Sequence, residues 1–267
     1  MPPPVRQCGI GVPLFSIPSS ASWGIGEFAD LPVFGTWCAA AGQRYVQLLP
    51  LNEISPGVTS PYSSMSAMAL DPIYIHLPAI EDVAALGGEA GLPAADRSAL
   101  AGVRQSPSVR YGEVRMLKSR VLRRAYVRFA AEEIDRNTAR AAAFEAYQSR
   151  ESWWLDAYTL FRALHAANEE RAWWDWPMAL AYRDPAALAE ARIDLAEERR
   201  YRAYLQWIAE TQLQAARRAS GVRVFGDLDS FRSQFTGREQ SFSNLRDRLS
   251  PICKRTLRKQ VQPYVSY

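Results

Sequence analysis

Between Asn52 and Ser64 the chain places Asn52, Glu53, Ser55, Thr59, Ser60, Tyr62, Ser63 and Ser64 in one short stretch, stiffened by Pro56, Gly57 and Pro61. Hydroxyl and amide groups around a tyrosine ring suit a neutral polyol, because they can hydrogen-bond its hydroxyls while the ring covers an apolar face. Composition alone favours an ordinary surface turn, since Ser, Pro and Gly are also the commonest turn residues. What lifts the stretch above that reading is its position. It follows Tyr45-Val46-Gln47-Leu48-Leu49, a short apolar run closed by Pro50, which reads as a strand buried on both faces of a parallel sheet. Loops at the carboxyl ends of such strands are where α/β folds place ligands.

The elements that must hold this loop follow from periodicity. Buried strands are expected at Ile10 to Phe15, Arg44 to Leu49, Ile73 to Leu77 and Val222 to Phe225, and periodic segments near 113–147, 151–168 and 185–219 read as helices. At 267 residues the chain has the size of a complete (β/α)8 barrel, roughly 250 residues, but it offers at most half of the eight strands. The expectation is therefore an α/β protein, a partial (β/α)8 TIM-type barrel with a largely helical insertion. Its parts are residues 1–80 as the first part of the barrel, 81–220 as the insertion, 221–228 as a further strand, and 229–267 as a tail. That tail is rich in Ser, Arg and Gln and lacks helical or strand period, so it should be poorly ordered.

Four motifs in order carry a resemblance. Trp23-Gly24-Ile25-Gly26 before Asp30-Leu31, Ala41-Gly42-Gln43 with Gln47-Leu48-Leu49-Pro50-Leu51, Ser60-Pro61-Tyr62-Ser63, and Ala69-Leu70-Asp71-Pro72-Ile73-Tyr74-Ile75 resemble the amino-terminal block of the 4-α-glucanotransferases, also called amylomaltases. Trp153-Leu155-Asp156-Tyr158-Leu160-Phe161-Leu164, Trp174-Trp176-Pro177, Gln206-Trp207-Gln212 and Gly221 to Leu228 continue it, so it covers most of residues 6–228 and then stops. The resemblance implies transfer of α-1,4-glucan segments between chains, in cytoplasm, with an α-1,4-glucan or maltooligosaccharide as partner and no cofactor or metal. It also implies that Ser60, Tyr62 and Asp227 contact sugar.

Retaining glycan transfer needs two carboxyl groups about 5 Å apart, one a nucleophile and one an acid and base. In the family these stand in R-I-D-x-x-x-G and A-E-D-L-G segments, with a third in an H-D pair, all after the G-D-L strand; none of those segments occurs after Gly226-Asp227-Leu228 here. No catalytic residue is therefore assigned, and the chain alone is expected to be inactive. Arg192-Ile193-Asp194 spells R-I-D but precedes that strand and lies on an amphipathic helical pattern, which reads as an exposed helix carboxylate.

Rival readings are weaker. A non-catalytic glucan-binding or scaffold fragment is the first alternative. Arg115, Lys118, Arg120, Arg123, Arg124 and Arg128 bunch on one segment, which could face nucleic acid, but the net charge is only +4 and a complementary apolar stripe makes a solvated Arg face the simpler account. Gly24-Ile25-Gly26-Glu27-Phe28-Ala29 fits a dinucleotide fingerprint without the preceding strand that fingerprint needs. Cys8, Cys38 and Cys253 are odd in number, as expected of reduced cytosolic thiols, and His76 and His165 lack metal-ligand spacing. No apolar run of about 18 residues and no leader-like terminus occur, so neither membrane nor export is expected. Trp153, Trp154, Trp173, Trp174, Trp176 and Trp207 fall on or beside helical patterns and are expected to pack in the core.

Overall fold

The computed structural model describes residues 7–226. Three short parallel strands form one sheet in the order β1 (Gly9–Val12), β2 (Tyr45–Leu48) and β3 (Arg223–Gly226), with Gly9 opposite Tyr45 and Tyr45 opposite Arg223. Helix α1 (Leu31–Ala40) connects the first two. The long connection from β2 to β3 contains α2 (Glu81–Ala85), α3 (Ala94–Gln105), α4 (Tyr111–Phe129), α5 (Ala139–Ala167), α6 (Met178–Ala181), α7 (Pro185–Asp194) and α8 (Ala196–Ala219). The described chain is thus mostly helical around a small parallel sheet. The tail 229–267 and Cys253 lie outside the described residues; Cys8 is exposed and Cys38 buried, both as free thiols.

Helix ends follow local chemistry. The side chain of Thr138 accepts from the Ala141 amide to start α5, and Asp184 does the same for Ala187 ahead of Pro185 at the first turn of α7. The segment 113–147, expected as one helix, is two: α4 passes into a wider turn over Ala130–Ile134, and Asn137 adopts a left-handed φ of 51° before the Thr138 cap. Likewise 185–219 breaks at Leu195, whose ψ of 18° ends α7.

The expected strand at Ile73 to Leu77 does not form. Asp71 accepts from the Ile73 amide at 3.0 Å with Pro72 next to it, which bends the chain into a 3-10 turn over Pro72–Tyr74, and a second spans Leu77–Ala79. Ile73, Ile75 and Leu77 are buried as the apolar run implied. Their backbone groups, however, are met by side chains instead of a neighbouring strand. Lys118 Nζ donates to the carbonyls of Ile73 and Ile75 at 2.6 and 2.9 Å. Gln212 of α8 accepts from the His76 amide and donates to its carbonyl, at 2.8 and 2.9 Å. Periodicity reported burial correctly and could not report who pairs with the backbone.

The main core joins the sheet, α1 and the face of α4, α5 and α8, where Phe129, Phe144, Tyr204 and Trp207 meet with ring centroids 4.9–6.5 Å apart. A separate small core, Leu160, Leu164, Trp176 and Ala191, sits where α5 meets α7. Trp154 and Trp176 are buried and Trp207 packs partly buried on the main core, as expected, whereas Trp153, Trp173 and Trp174 are exposed.

Candidate functional site

The polar stretch after β2 is a closed loop whose two ends are stitched together. Antiparallel bridges join Asn52 to Leu70 and Ile54 to Ser64. The Glu53 amide donates to Ala69 O at 2.9 Å, the Met65 amide to Glu53 O at 2.8 Å, and the Asp71 amide to Leu51 O at 2.8 Å. Asn52 adds its side-chain amide to Ala67 O at 3.0 Å. Leu51, Ile54, Ala69 and Leu70 are buried beneath together with Asn52 and Glu53, so these residues form the base while Ser60 and Tyr62 stay exposed.

Helices α5 and α8 fasten this base from below. The Gln206 side chain of α8 accepts from the Leu70 amide and donates to the Leu70 carbonyl, both at 2.8 Å, doing the work of an adjacent strand for one residue. Glu53 is buried, and its carboxylate accepts from Tyr158 OH at 2.5 Å and from Arg162 Nε at 3.1 Å, both on α5. Burial first, and then the charge of Glu53, push the Tyr158 phenol well above its ordinary pKa, so it remains a donor. Burial works against the Arg162 cation, but Glu53 outweighs it and the pKa is raised. Arg162 also reaches Glu170 at 3.0 Å, and Glu170 meets His165 Nδ1 at 2.5 Å. Burial would lift the Glu170 carboxyl; Arg162 and then His165 outweigh it and hold the group below its ordinary value.

Ser60 and Tyr62 stand together on the loop tip, where the Ser63 amide closes a turn on Ser60 O at 3.1 Å. Both are exposed, and Tyr62 leaves 62% of its surface to solvent. Asp227 lies outside the described residues. The strand leading to it ends at Gly226, which pairs with Leu48, so the carboxyl ends of β2 and β3 are side by side. Sequence reasoning named Glu53 only as one polar loop residue and missed Arg162. Gln206 and Tyr158 were noticed only through the resemblance; a lone Gln or Tyr on an amphipathic helix carries no local signal of a partner 136 or 105 residues away.

The buried carboxylates are committed to structure. Glu27 meets Lys118 Nζ and His76 Nδ1, both at 2.5 Å. Asp71 takes Arg115 through both oxygens at 2.8 and 2.7 Å, and Asp82 takes Arg128, Arg140 and the Tyr204 hydroxyl. Each carries charged or hydroxyl donors on its oxygens, so none stands free to attack or protonate a glycosidic bond. Asp194 ends α7 at the surface, as the helical reading of Arg192-Ile193-Asp194 implied.

These ion pairs also correct the solvated Arg face expected on α4. Arg115 is bound to Asp71, Arg120 to Asp96, Arg123 to Glu198 and Arg128 to Asp82, while Lys118 is fully buried and its pKa is lowered by burial against the pull of Glu27. Most of the basic run is thus paired with acids of neighbouring elements, although Arg120 and Arg123 keep about half of their side chains exposed. The dinucleotide-like glycines serve packing as well. Gly24 has φ of +78°, and a Cβ on Gly26 would stand 1.9 Å from Leu14 O. Among the described residues no group of acidic, His or Cys side chains could hold a metal ion, and no helix is long and apolar enough to cross a membrane.

Residues 12–233 match the sequence profile of a family described as 4-alpha-glucanotransferase. A 4-alpha-glucanotransferase of Thermus thermophilus is 35% identical over 195 residues, which is 72% of this chain and 36% of the relative. One of Chlamydia pneumoniae is 32% identical over 205 residues, 77% of this chain and 37% of the relative. The fold is similar to that of an amylomaltase from Streptococcus agalactiae solved in complex with acarbose, with a TM-score of 0.68 and 25% identity over 83% of this chain and 43% of that one. The chain thus spans little more than a third of the length of the curated relatives it matches.

Proposed function

The chain belongs to the 4-alpha-glucanotransferase family, and from that premise we propose that it binds α-1,4-glucan or maltooligosaccharide through the loop 52–64, as part of the machinery that transfers glucan segments with retention. The observation that carries this reading is the loop itself. A tyrosine ring and a set of hydroxyls are displayed at the carboxyl end of the central strand, on a base pinned by Gln206 and by a buried Glu53–Arg162–Tyr158 knot. Holding a binding loop rigid lowers the entropy lost on binding.

In the proposed mode Tyr62 lies against a glucose ring, Ser60 hydrogen-bonds its hydroxyls and Asp227 adds an acceptor from the neighbouring strand end. The three parallel strands fit the start of a (β/α)8 barrel with α2 to α8 as its insertion, and the setting is cytoplasmic. The described buried carboxylates all accept hydrogen bonds from neighbouring side chains, so this chain by itself is not expected to break a glycosidic bond. Incubating it with maltotriose tests that half of the reading: no glucose and no longer oligomers should appear, and robust disproportionation would overturn it. Titrating maltooligosaccharides while following the Tyr62 ring by NMR tests the other half. Dissociation constants of about 1 mM, worth about 4 kcal/mol, are expected for an open surface loop. Absence of any response at Tyr62 would remove the sugar-site assignment.

A further inference from the structure

Three of the described aromatic side chains that remain uncovered are neighbours in one short segment. Trp173 and Trp174 expose 53% and 67% of their surface and cross edge to face at 79° with ring centroids 5.6 Å apart. Tyr182, at the end of α6, exposes 82%. Solvent-facing indoles are costly to keep in water, and a fold that merely needed this turn could close it without them. The backbone around them is strained instead of relaxed. Of the four non-glycine residues with left-handed φ among the described residues, Glu169 at 58° and Glu170 at 57° precede the tryptophans and Arg183 at 61° follows them.

The underside of the segment is fixed. Trp176 is buried, donates its indole N–H to Arg171 O at 2.9 Å and packs on Phe161 and His165. Glu170 holds His165 and Arg162, and Arg162 continues to Glu53, the buried anchor of the loop that carries Tyr62. The aromatic segment and the sugar loop therefore rest on opposite ends of one chain of charged hydrogen bonds, exposed at Glu170 and buried at Arg162 and Glu53.

We propose that Trp173 and Trp174, with Tyr182, form a second α-glucan contact surface, held in fixed relation to the Tyr62 loop by the Glu170–Arg162–Glu53 chain. The proposal rests on the α-glucan reading of the loop. Crossed indoles offer apolar faces at two inclinations, which suits the turning ribbon of an α-1,4-linked chain better than a flat ligand. No charged group on the ligand is required, as expected for a neutral polyol.

The test follows two sets of signals in the full chain, the Tyr62 ring and the indole N–H groups of Trp173 and Trp174, during titration with maltoheptaose. Both sets should shift. Trp173→Ala with Trp174→Ala should leave the thermal melt and the Tyr62 response in place while raising the maltoheptaose dissociation constant by about tenfold. The Trp173→Phe, Trp174→Phe pair keeps two aromatic faces and should stay within about threefold of wild type. Indoles that do not move while Tyr62 does would overturn the second surface and leave the loop reading intact. Indoles that move while Tyr62 does not would support the second surface and remove the loop. Silence at both would end both, and indole signals that respond to protein concentration but not to sugar would assign the patch to self-association.

Discussion

Gln206→Leu is the sharpest probe of how the loop is held. The side chain is buried and serves both backbone groups of Leu70 at 2.8 Å, with a further contact to Tyr158 OH at 3.3 Å. Leucine has nearly the same volume, so the cavity contribution is small and the loss is that of polar partners. A buried amide and a buried carbonyl left unsatisfied cost about 1–3 kcal/mol each, or about 2–6 kcal/mol together. Leucine's greater hydrophobicity returns part of this, so about 3 kcal/mol is expected. For a domain of this size that lowers Tm by about 6–12 °C. Gln212→Leu is the control, because Gln212 makes the same two bonds to His76 at 2.8 and 2.9 Å but both residues are only partly buried. Water can replace the lost partners there, and about 1 kcal/mol or less should be lost. Urea unfolding of the three proteins, with m-values compared to confirm the same transition, measures both. A Gln206→Leu protein within 1 kcal/mol of wild type, or a Gln212→Leu protein equally damaged, would refute the argument that burial sets the cost.

Lys118→Met should destabilise by about 3–5 kcal/mol, because Glu27 would stay buried without its cation; adding Glu27→Gln should cost less than the sum of the two single changes, and additivity would deny the coupling. Tyr62→Ala should leave stability within about 0.5 kcal/mol, the ring being mostly exposed, while weakening maltooligosaccharide binding at the loop, as a melt beside an NMR titration would show. Glu89 is held below its ordinary carboxyl range of 4.5 first by its hydrogen bond from Arg104, and Glu170 is held below it by Arg162 and His165 against burial. A carboxyl depressed in the folded state contributes stability that is present above about 4.5 and is lost as pH falls through the folded value. Glu170→Gln should therefore cost most near neutrality and converge on wild type in acid, and a gap in Tm that is constant with pH would contradict this.

Much of the protein was legible in one dimension. The order of apolar, turn-forming and periodic segments is a local property, so β1, β2, β3 and the helical run between them could be read within a few residues, as could the surface position of Arg192-Ile193-Asp194. The polar loop after β2 was legible for the same reason: Pro50 ends a buried strand, and Ser60 and Tyr62 follow in a turn. What the sequence could not carry was pairing across distance. Ile73 to Leu77 has the composition of a strand, yet Asp71 and Pro72 bend it, and Lys118, Gln206 and Gln212 take over the backbone bonds around it. The Arg and Lys residues of α4 look solvated in a helical projection, because a projection shows the face and not the acids that α2, α3 and α8 bring against it. Glu53, Arg162 and Glu170 become one chain only when α5 lies under the loop. Local patterning thus determined which segments are helix, strand or loop and where the polar loop stands. Tertiary packing alone decided which buried charges meet, because a charge can be taken from water only where a partner far along the chain is already in place.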